Sequence, residues 1–293
     1  MKVSVVIVTH NSAPCLKKCI DSVLAQKTNG LEIIVVDNGS SDGTEALMRN
    51  SYPSVTFLFN SSNLGAAFAR NQGIAASHGD WILTLDADAF LSQDFFMNFE
   101  KFFNRDLTDA VGIVTPKILY PDGKTIYSLG HRLTILRRFI DVGLGKKDGL
   151  AWMRDNRIFG ACAATAFYNR RMLEEISVPE KGYFDKDLFF IAEDVDLAWR
   201  ARKKGWKVAA CYACVSYHEG NSMRLNESKR RFYEIRNRLL IMFKNDSLVY
   251  LFLFFIPLFL YEAARVVMLT IKGQGGVYKE AFLAAWKMRG GLT

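Results

Sequence analysis

The first apolar run of this chain is not followed by Gly-x-Gly-x-x-Gly; Thr9-His10-Asn11-Ser12 stands in that place. A dinucleotide-binding turn of the usual kind is therefore excluded, and any nucleotide must be held another way. A basic, glycine-rich phosphate cradle is missing there too, since Asn11-Ser12-Ala13-Pro14 supplies none, which counts against a nucleotidyltransferase. Cysteine is sparse: five residues, an odd number and widely scattered, argue against a disulfide framework. Cys211 and Cys214 have zinc-like spacing but no second matching pair, and Cys15 and Cys19 fit one helical turn. All four read as buried apolar thiols in a reducing compartment. The opening apolar run, Val3 to Val8, is too short for a signal peptide and reads as a strand. Leu248 to Tyr261 carries no charge but stops at 14 residues, short of the ~20 needed to cross a bilayer.

What is present points to a large folded α/β protein. Half of the 293 residues are hydrophobic, with 22 phenylalanines, so disorder is excluded as a class. Val3–Val8, Leu31–Val36, Val55–Phe59 and Trp81–Leu85 are strand-like runs separated by helical patterns, the signature of a mostly parallel sheet. Leu16, Ile20, Val23 and Leu24 form the inward face of the first helix. A helix over 92–103 carries an aromatic stripe at Phe95, Phe96, Phe99 and Phe103 that reads as core. Val111–Thr115 is a strand ended by Pro116, the 126–152 stretch is irregular, residues 160–166 read as small-residue strand, and Trp206–Ala210 is a further strand. A helix follows over 230–244.

Charge is uneven. The net +8 is contained in residues 200–244, where twelve basic and three acidic side chains leave a local balance of +9. No recognised nucleic-acid module accompanies it, so nucleic acid is not an expected partner. A basic region beside a Phe/Leu-rich one suits an anionic membrane surface. For 248–271 three readings stand: an in-plane helix or hairpin broken at Pro257, a full span, or a core or dimer helix. A full span would place Glu262 and Arg265 at membrane depth, which is costly.

Acidic residues then mark the candidate chemistry. Asp86 and Asp88 end the apolar Trp81–Leu85 run, where a central strand would emerge at the carboxyl edge of the sheet. They suit a hard divalent cation, which one or two carboxylates and substrate phosphates commonly hold, or else a helix cap. Glu193, Asp194 and Asp196 precede a helix after the apolar Phe189-Phe190-Ile191. They are caps and first-turn acids, or include a base tuned by its apolar wall. His218 is one of four histidines. The basic face of the 230–244 helix is solvated, binds diphosphate or meets lipid head groups.

In this order the motifs resemble a family 2 glycosyltransferase of the GT-A type, closest to the bacterial rhamnosyltransferase-like branch that builds cell-surface polysaccharides. They are Val-Ile-Val-Thr-His-Asn-Ser at 6–12, Val-Val-Asp-Asn-Gly-Ser-Ser-Asp-Gly-Thr at 35–44, Asn-Leu-Gly-Ala-Ala-Phe-Ala-Arg-Asn-Gln-Gly at 63–73 and Asp-Ala-Asp at 86–88. Gly-Tyr-Phe-Asp at 182–185, Phe-Ile-Ala-Glu-Asp-Val-Asp-Leu-Ala-Trp-Arg at 190–200, His218 and Arg-Asn-Arg at 236–238 complete the set.

The resemblance implies a GT-A α/β fold over 1–245, with a nucleotide-sugar part over 1–115, an acceptor part over 116–245 and a hydrophobic helical extension over 246–293. Thr9 and Asn11 then line a nucleotide pocket shared with Asn63, Gly65 and Asn71. Asp37 meets the base or its surroundings, and Asp86 lies near the ribose and donor sugar. Asp88 ligates Mg²⁺ or Mn²⁺, His218 is a second metal or diphosphate ligand, and Asp194 is the catalytic base of an inverting transfer. The implied partners are a UDP-, dTDP- or GDP-sugar, a saccharide or lipid-linked acceptor, and a membrane surface on the cytoplasmic side; a homodimer stays open. One departure matters: many members of that branch carry Asn-Pro-Asp where this chain has Asp-Ala-Asp, so branch and donor sugar are not fixed. The rival from another class is a non-catalytic binding scaffold of the same fold. A scaffold has no need of Asp194.

Overall fold

The computed structural model describes residues 1–28, 30–106, 108–153, 157–220 and 226–289. Asn221 and Ser222, which follow His218 closely in sequence, lie outside them. The chain divides into two compact units. The first holds Met1–Arg132, Asp141–Phe189 and Glu193–Met223; the second holds Leu133–Ile140, Phe190–Ala192 and Arg224–Thr293.

The first unit begins as alternating strands and helices: β1 Val3–Thr9, α1 Ala13–Leu24, β2 Leu31–Asn38, α2 Thr44–Ser51, β3 Thr56–Asn60, α3 Ala66–Ala75 and β4 Trp81–Asp86. Then come β5 Ala89–Leu91, α4 Phe95–Asp106, β6 Val111–Leu119, β7 Ile126–Ser128, β8 His131–Leu133, β9 Phe139–Asp141, α5 Leu150–Met153, β10 Thr165–Asn169, α6 Arg170–Ile176, α7 Glu193–Lys203 and β11 Lys207–His218. The nine-stranded sheet runs β3-β2-β1-β4-β10-β6-β11-β5, with β7 on β6. Its first four strands pair in parallel, while β10 lies antiparallel to both β4 and β6.

Helices cover both faces, and strand side chains alternate between two cores. Val5, Ile7, Leu83 and Leu85 pack with Leu16, Ile20, Phe95, Phe96 and Phe99. Val6 and Ile82 turn the other way, to Ala67, Ile74, Met172, Leu197 and Ala198. The aromatic stripe is core, as expected, and Phe99 stacks on Phe167 with centroids 3.7 Å apart.

Several expectations need correction. Leu24, at the last turn of α1, is 52% exposed; Cys19 takes its place on the buried face. The 126–152 stretch is not irregular, for it forms β7, β8, β9 and α5. The small-residue strand begins at Thr165 rather than Gly160, because the preceding backbone serves side chains: Ala163 O accepts from the Thr84 hydroxyl at 2.9 Å. β6 does not stop at Pro116. Proline cannot donate to the ladder, and β11 accommodates it with a register shift between Cys211, opposite Pro116, and Val215. Cys211 and Cys214 are joined as a disulfide within that irregularity, not free thiols. The bulge interrupts the alternation, which is why β11 reads from sequence as a shorter strand.

In the second unit, α8 Glu227–Asn245, α9 Leu248–Leu253, α10 Phe255–Ile271 and α11 Gly275–Met288 enclose a polar knot. Arg238 donates to the carbonyls of Arg137 and Leu136 and pairs with Glu262, which also accepts from the Tyr278 hydroxyl at 2.7 Å. Glu262 and Arg238 thus satisfy each other inside the helical unit. The apolar run breaks at Phe254, not at Pro257, which occupies the first turn of α10 where its missing N–H costs little. Among the described residues no helix is long and apolar enough to cross a membrane.

Candidate active site

The parallel strands deliver the predicted residues to one edge. Thr9 and Asp37 are direct partners across β1 and β2, and Asp86 pairs with Val8 across β1 and β4. Thr9 Oγ1 and Asp37 Oδ2 are buried and lack a hydrogen-bond partner among the described residues. Buried polar atoms are normally satisfied, so this pair marks a place shaped for a polar ligand. Asp37 Oδ1 accepts from the Ser40 amide and hydroxyl, and burial lifts its carboxyl above the ordinary range against those bonds.

Asn11, with φ of 51°, latches the neighbouring loop: its Oδ1 accepts from Ser41 N at 2.8 Å and its own amide donates to Ser40 Oγ. Asn63 Oδ1 accepts from Asn38 and from Gly65 N, each at 3.0 Å. Gly65 has φ of 93°, and a Cβ there would come within 2.6 Å of the Phe189 ring. Asn71 is fully engaged by backbone, donating to Lys181 O and Phe184 O and accepting from Phe184 N. Asn63, Gly65 and Asn71 therefore shape the walls by holding loops.

Asp86, Asp88 and His218 converge, with ligand atoms that all lie within 4.8 Å of one another. His218 Nε2 is 3.1 Å from Asp88 Oδ1 and 3.7 Å from Asp86 Oδ2. Burial opposes protonation of His218, but hydrogen bonds and charge from Asp86 and Asp88 prevail and raise it to about 9. Two carboxylates and an imidazole form a donor set that fits Mn²⁺ or Mg²⁺, and buried acids of this density call for a cation of some kind. His218 is placed by β11, whose last residue pairs with Ala89, and its ring rests on Tyr127, centroids 4.4 Å apart.

Sequence reasoning gave no role to the residue that ties this cluster to the other acids. Arg70, on α3, is 4% exposed at its side chain; its Nη2 lies 2.8 Å from Asp86 Oδ1 and its Nη1 pairs with Glu193. Burial works against a charged Asp86, yet Arg70 and His218 outweigh it and hold its carboxyl below the ordinary range. Glu193 goes the other way: burial pushes it up to about 7 against the pull of Arg70. One guanidinium is shared between a buried acid, Glu193, and a partly exposed one, Asp86. The signal in the sequence was a lone arginine in a helix of small residues within the 63–73 motif.

Asp194 follows Glu193 in the first turn of α7. Its Oδ2 accepts from Ala163 N at 2.9 Å and its Oδ1 from Val195 N at 2.8 Å. The backbone entering α7 is left-handed at Phe189, Ile191 and Ala192, with φ of 62°, 72° and 70°. Such conformations cost ~1–3 kcal/mol each and persist where surroundings impose them. Asp196 is spent structurally, as the partner of Arg200 at 2.8 Å.

Comparison with known proteins agrees with this geometry. The family model described as "Glycosyl transferase family 2" matches residues 4–177. The poly-beta-1,6-N-acetyl-D-glucosamine synthase of Staphylococcus aureus is 27% identical over 220 residues, covering 73% of this chain and 50% of that protein. The chain thus spans about half the length of that relative. The succinoglycan biosynthesis protein ExoO of Rhizobium meliloti is 39% identical over 93 residues, 31% of this chain and 27% of that one. Among solved structures, S. aureus TarS 1-349 overlays with a TM-score of 0.58 at 16% identity, covering 84% of this chain and 67% of that one. The mannosyltransferase PcManGT from Pyrobaculum calidifontis, in complex with GDP-Man and Mn²⁺, gives 0.60 at 20% identity, covering 98% and 75%. At these identities the likeness establishes the fold, which is GT-A.

Proposed function

The chain belongs to glycosyl transferase family 2, and from that premise we propose that it transfers a sugar from a nucleotide-diphospho-sugar to a saccharide or lipid-linked hydroxyl, with inversion, in cell-surface polysaccharide synthesis. The observation that carries this reading is a single connected constellation. A cation-type cluster at Asp86, Asp88 and His218 is joined through Arg70 to Glu193, whose neighbour Asp194 is fixed by two backbone N–H groups. The buried unsatisfied atoms of Thr9 and Asp37 support a nucleoside position beside the cluster.

In this reading Asp88 and His218 hold Mg²⁺ or Mn²⁺, with Asp86 adjoining. When bound, the cation offsets the charge that develops on the departing diphosphate. Asp194 accepts the proton of the acceptor hydroxyl as oxygen attacks the anomeric carbon from the side opposite the leaving group. A base on one face and a charge-neutralised leaving group on the other give inversion in one displacement, by the two-site logic of inverting glycosidases.

Two results test the donor side. UDP-, dTDP- or GDP-sugars with Mn²⁺ should raise the melting temperature, and chelation should abolish the rise. Asp88→Ala should weaken metal-dependent donor binding at least about tenfold in calorimetric titration. Donor binding equal with and without metal would remove the cation from the reading.

The outer face of the helical extension supports attachment to an anionic membrane surface. Leu248 and Phe252, four residues apart on α9, and Ile256, at the start of α10, are 84%, 82% and 68% exposed, while Lys272, Lys279, Lys287 and Arg289 give the same unit positive charge. An apolar strip flanked by lysines suits the boundary between anionic head groups and acyl chains. The protein should co-sediment with phosphatidylglycerol vesicles much more than with phosphatidylcholine ones, and Leu248→Ser with Phe252→Ser should abolish the difference. Concentration-dependent dimerisation with no vesicle binding would assign the strip to a second copy instead.

A further inference from the structure

Behind Asp194 lies a second cluster that the donor site does not use. His131 on β8 is 6% exposed. Its backbone is fixed to the Phe159–Gly160 segment, donating to Gly160 O at 2.8 Å and accepting from Phe159 N at 2.7 Å. That segment runs on to Ala163, the amide that binds Asp194. Gly160 itself admits no side chain, because a Cβ would lie 2.6 Å from that of Ala198 on α7. The backbone to which His131 is bonded is therefore packed closely on the second turn of α7. Its Nε2 stands 3.3 Å from Asp141 Oδ1 on β9 and 3.9 Å from Asp194 Oδ2. The thiol of Cys162 closes the group, all three ligand atoms of His131, Asp141 and Cys162 lying within 4.8 Å of one another.

We propose that His131, held by Asp141, is a positioning residue for Asp194: two backbone N–H groups set the direction of that carboxylate, and His131 balances its charge and keeps it in place until the acceptor hydroxyl arrives.

The charges around the pair support this role. Burial opposes a protonated His131, but Asp194 and then Asp141 raise its proton affinity well above the ordinary range. Burial likewise works against an ionised Asp141, and His131 overcomes it. Burial pushes the Cys162 thiol up to about 12, with His131 only partly opposing, so the free side chain is a neutral thiol at neutral pH. The remaining groups facing the pair are Ser128 and Tyr127 from β7, Tyr168 from β10, Glu193 beside Asp194, Arg70 from α3, and His218 acting on Asp141. Among them Arg70 is already shared by two other acids. His131 stands within ion-pair range of Asp194, at 3.9 Å.

The inference rests on Asp194 acting as base, and its first test needs no donor or turnover. The ring resonances of His131 are followed by NMR against pH in the native chain and in Asp194→Asn. Loss of one nearby negative charge should lower the midpoint by about 0.5 pH unit or more; equal midpoints would overturn the proposal. Kinetically, His131→Asn should reduce kcat about tenfold or more with donor KM within about twofold. Asp141→Asn should act in the same direction, and the double variant should be no worse than the poorer single one, as for residues that act as a unit. Should His131→Asn fail to fold, Asp141→Asn and the NMR comparison carry the decision. Additive losses, or unchanged kcat in folded variants, count against it. So does one tightly bound zinc ion retained by Asp88→Ala and lost in Cys162→Ser. If no donor is ever turned over but the His131 midpoint still responds to Asp194, the proposed function fails and the coupling stands.

Discussion

Asp194→Asn should lose sugar transfer by ~10³-fold or more in kcat while binding donor and cation as before. The expectation comes from what the carboxylate touches. Both oxygens already accept backbone N–H groups, from Ala163 and Val195, so the anion is oriented before any substrate arrives. An asparagine can keep one of these bonds through its oxygen. Its amide nitrogen must then face either an N–H or the His131 ring, and it can take no proton from a hydroxyl. The loss should therefore fall on the chemical step. The donor side is left alone, because Asp86, Asp88 and His218 form their cluster without Asp194. The measurement pairs initial rates with metal-dependent donor titration on one preparation. Turnover within tenfold of the native chain would remove Asp194 as the base; weakened donor binding with intact chemistry would place it on the nucleotide side.

Much of the 1–115 part was legible because its information is local. Val3–Val8, Leu31–Val36 and Trp81–Leu85 are apolar runs broken only by Ser4, Glu32 and Thr84, close to what strands covered on both faces require. The polar residues that end them become neighbours once the strands lie parallel and in register, which is how Thr9 meets Asp37. The part after residue 115 was harder to read for a physical reason. β10 is short and inserts antiparallel between strands far from it in sequence. β11 loses its alternation at the bulge opposite Pro116. Arg70 meets Glu193 across 123 positions, and no local period announces such a contact. His131 and Asp141 sit in a stretch that showed no periodicity, yet β8 and β9 carry both of them to Asp194. Asn63, Gly65 and Asn71, expected from the sequence to line the donor pocket, show the converse limit. Their motif was visible, whereas their engagement by loop backbone emerges only from the structure.

Arg70→Leu should be the most damaging single substitution for stability, by ~3–5 kcal/mol, because it strips the partner from two acids at once. The side chains of Arg70 and Glu193 are 4% and 5% exposed, and that of Asp86 20%. Water cannot replace the guanidinium around Glu193, so an ionised carboxylate there would be uncompensated. pH separates this account from simple loss of packing. The Glu193 carboxyl is raised from 4.5 to about 7 in the folded protein, so between those values the folded state binds the proton that the unfolded state releases. Stability from this group therefore falls as pH rises through that window, and removing Arg70 steepens the fall. The deficit of Arg70→Leu, read from urea midpoints, should be larger at pH 8 than at pH 5. Glu193→Gln placed in the Arg70→Leu background should recover at least about 1 kcal/mol of it at pH 8, because the neutral amide needs no counter-charge. A deficit independent of pH and untouched by Glu193→Gln would reduce Arg70 to a space-filling residue, and the bridge between the cation cluster and α7 would lose its electrostatic basis.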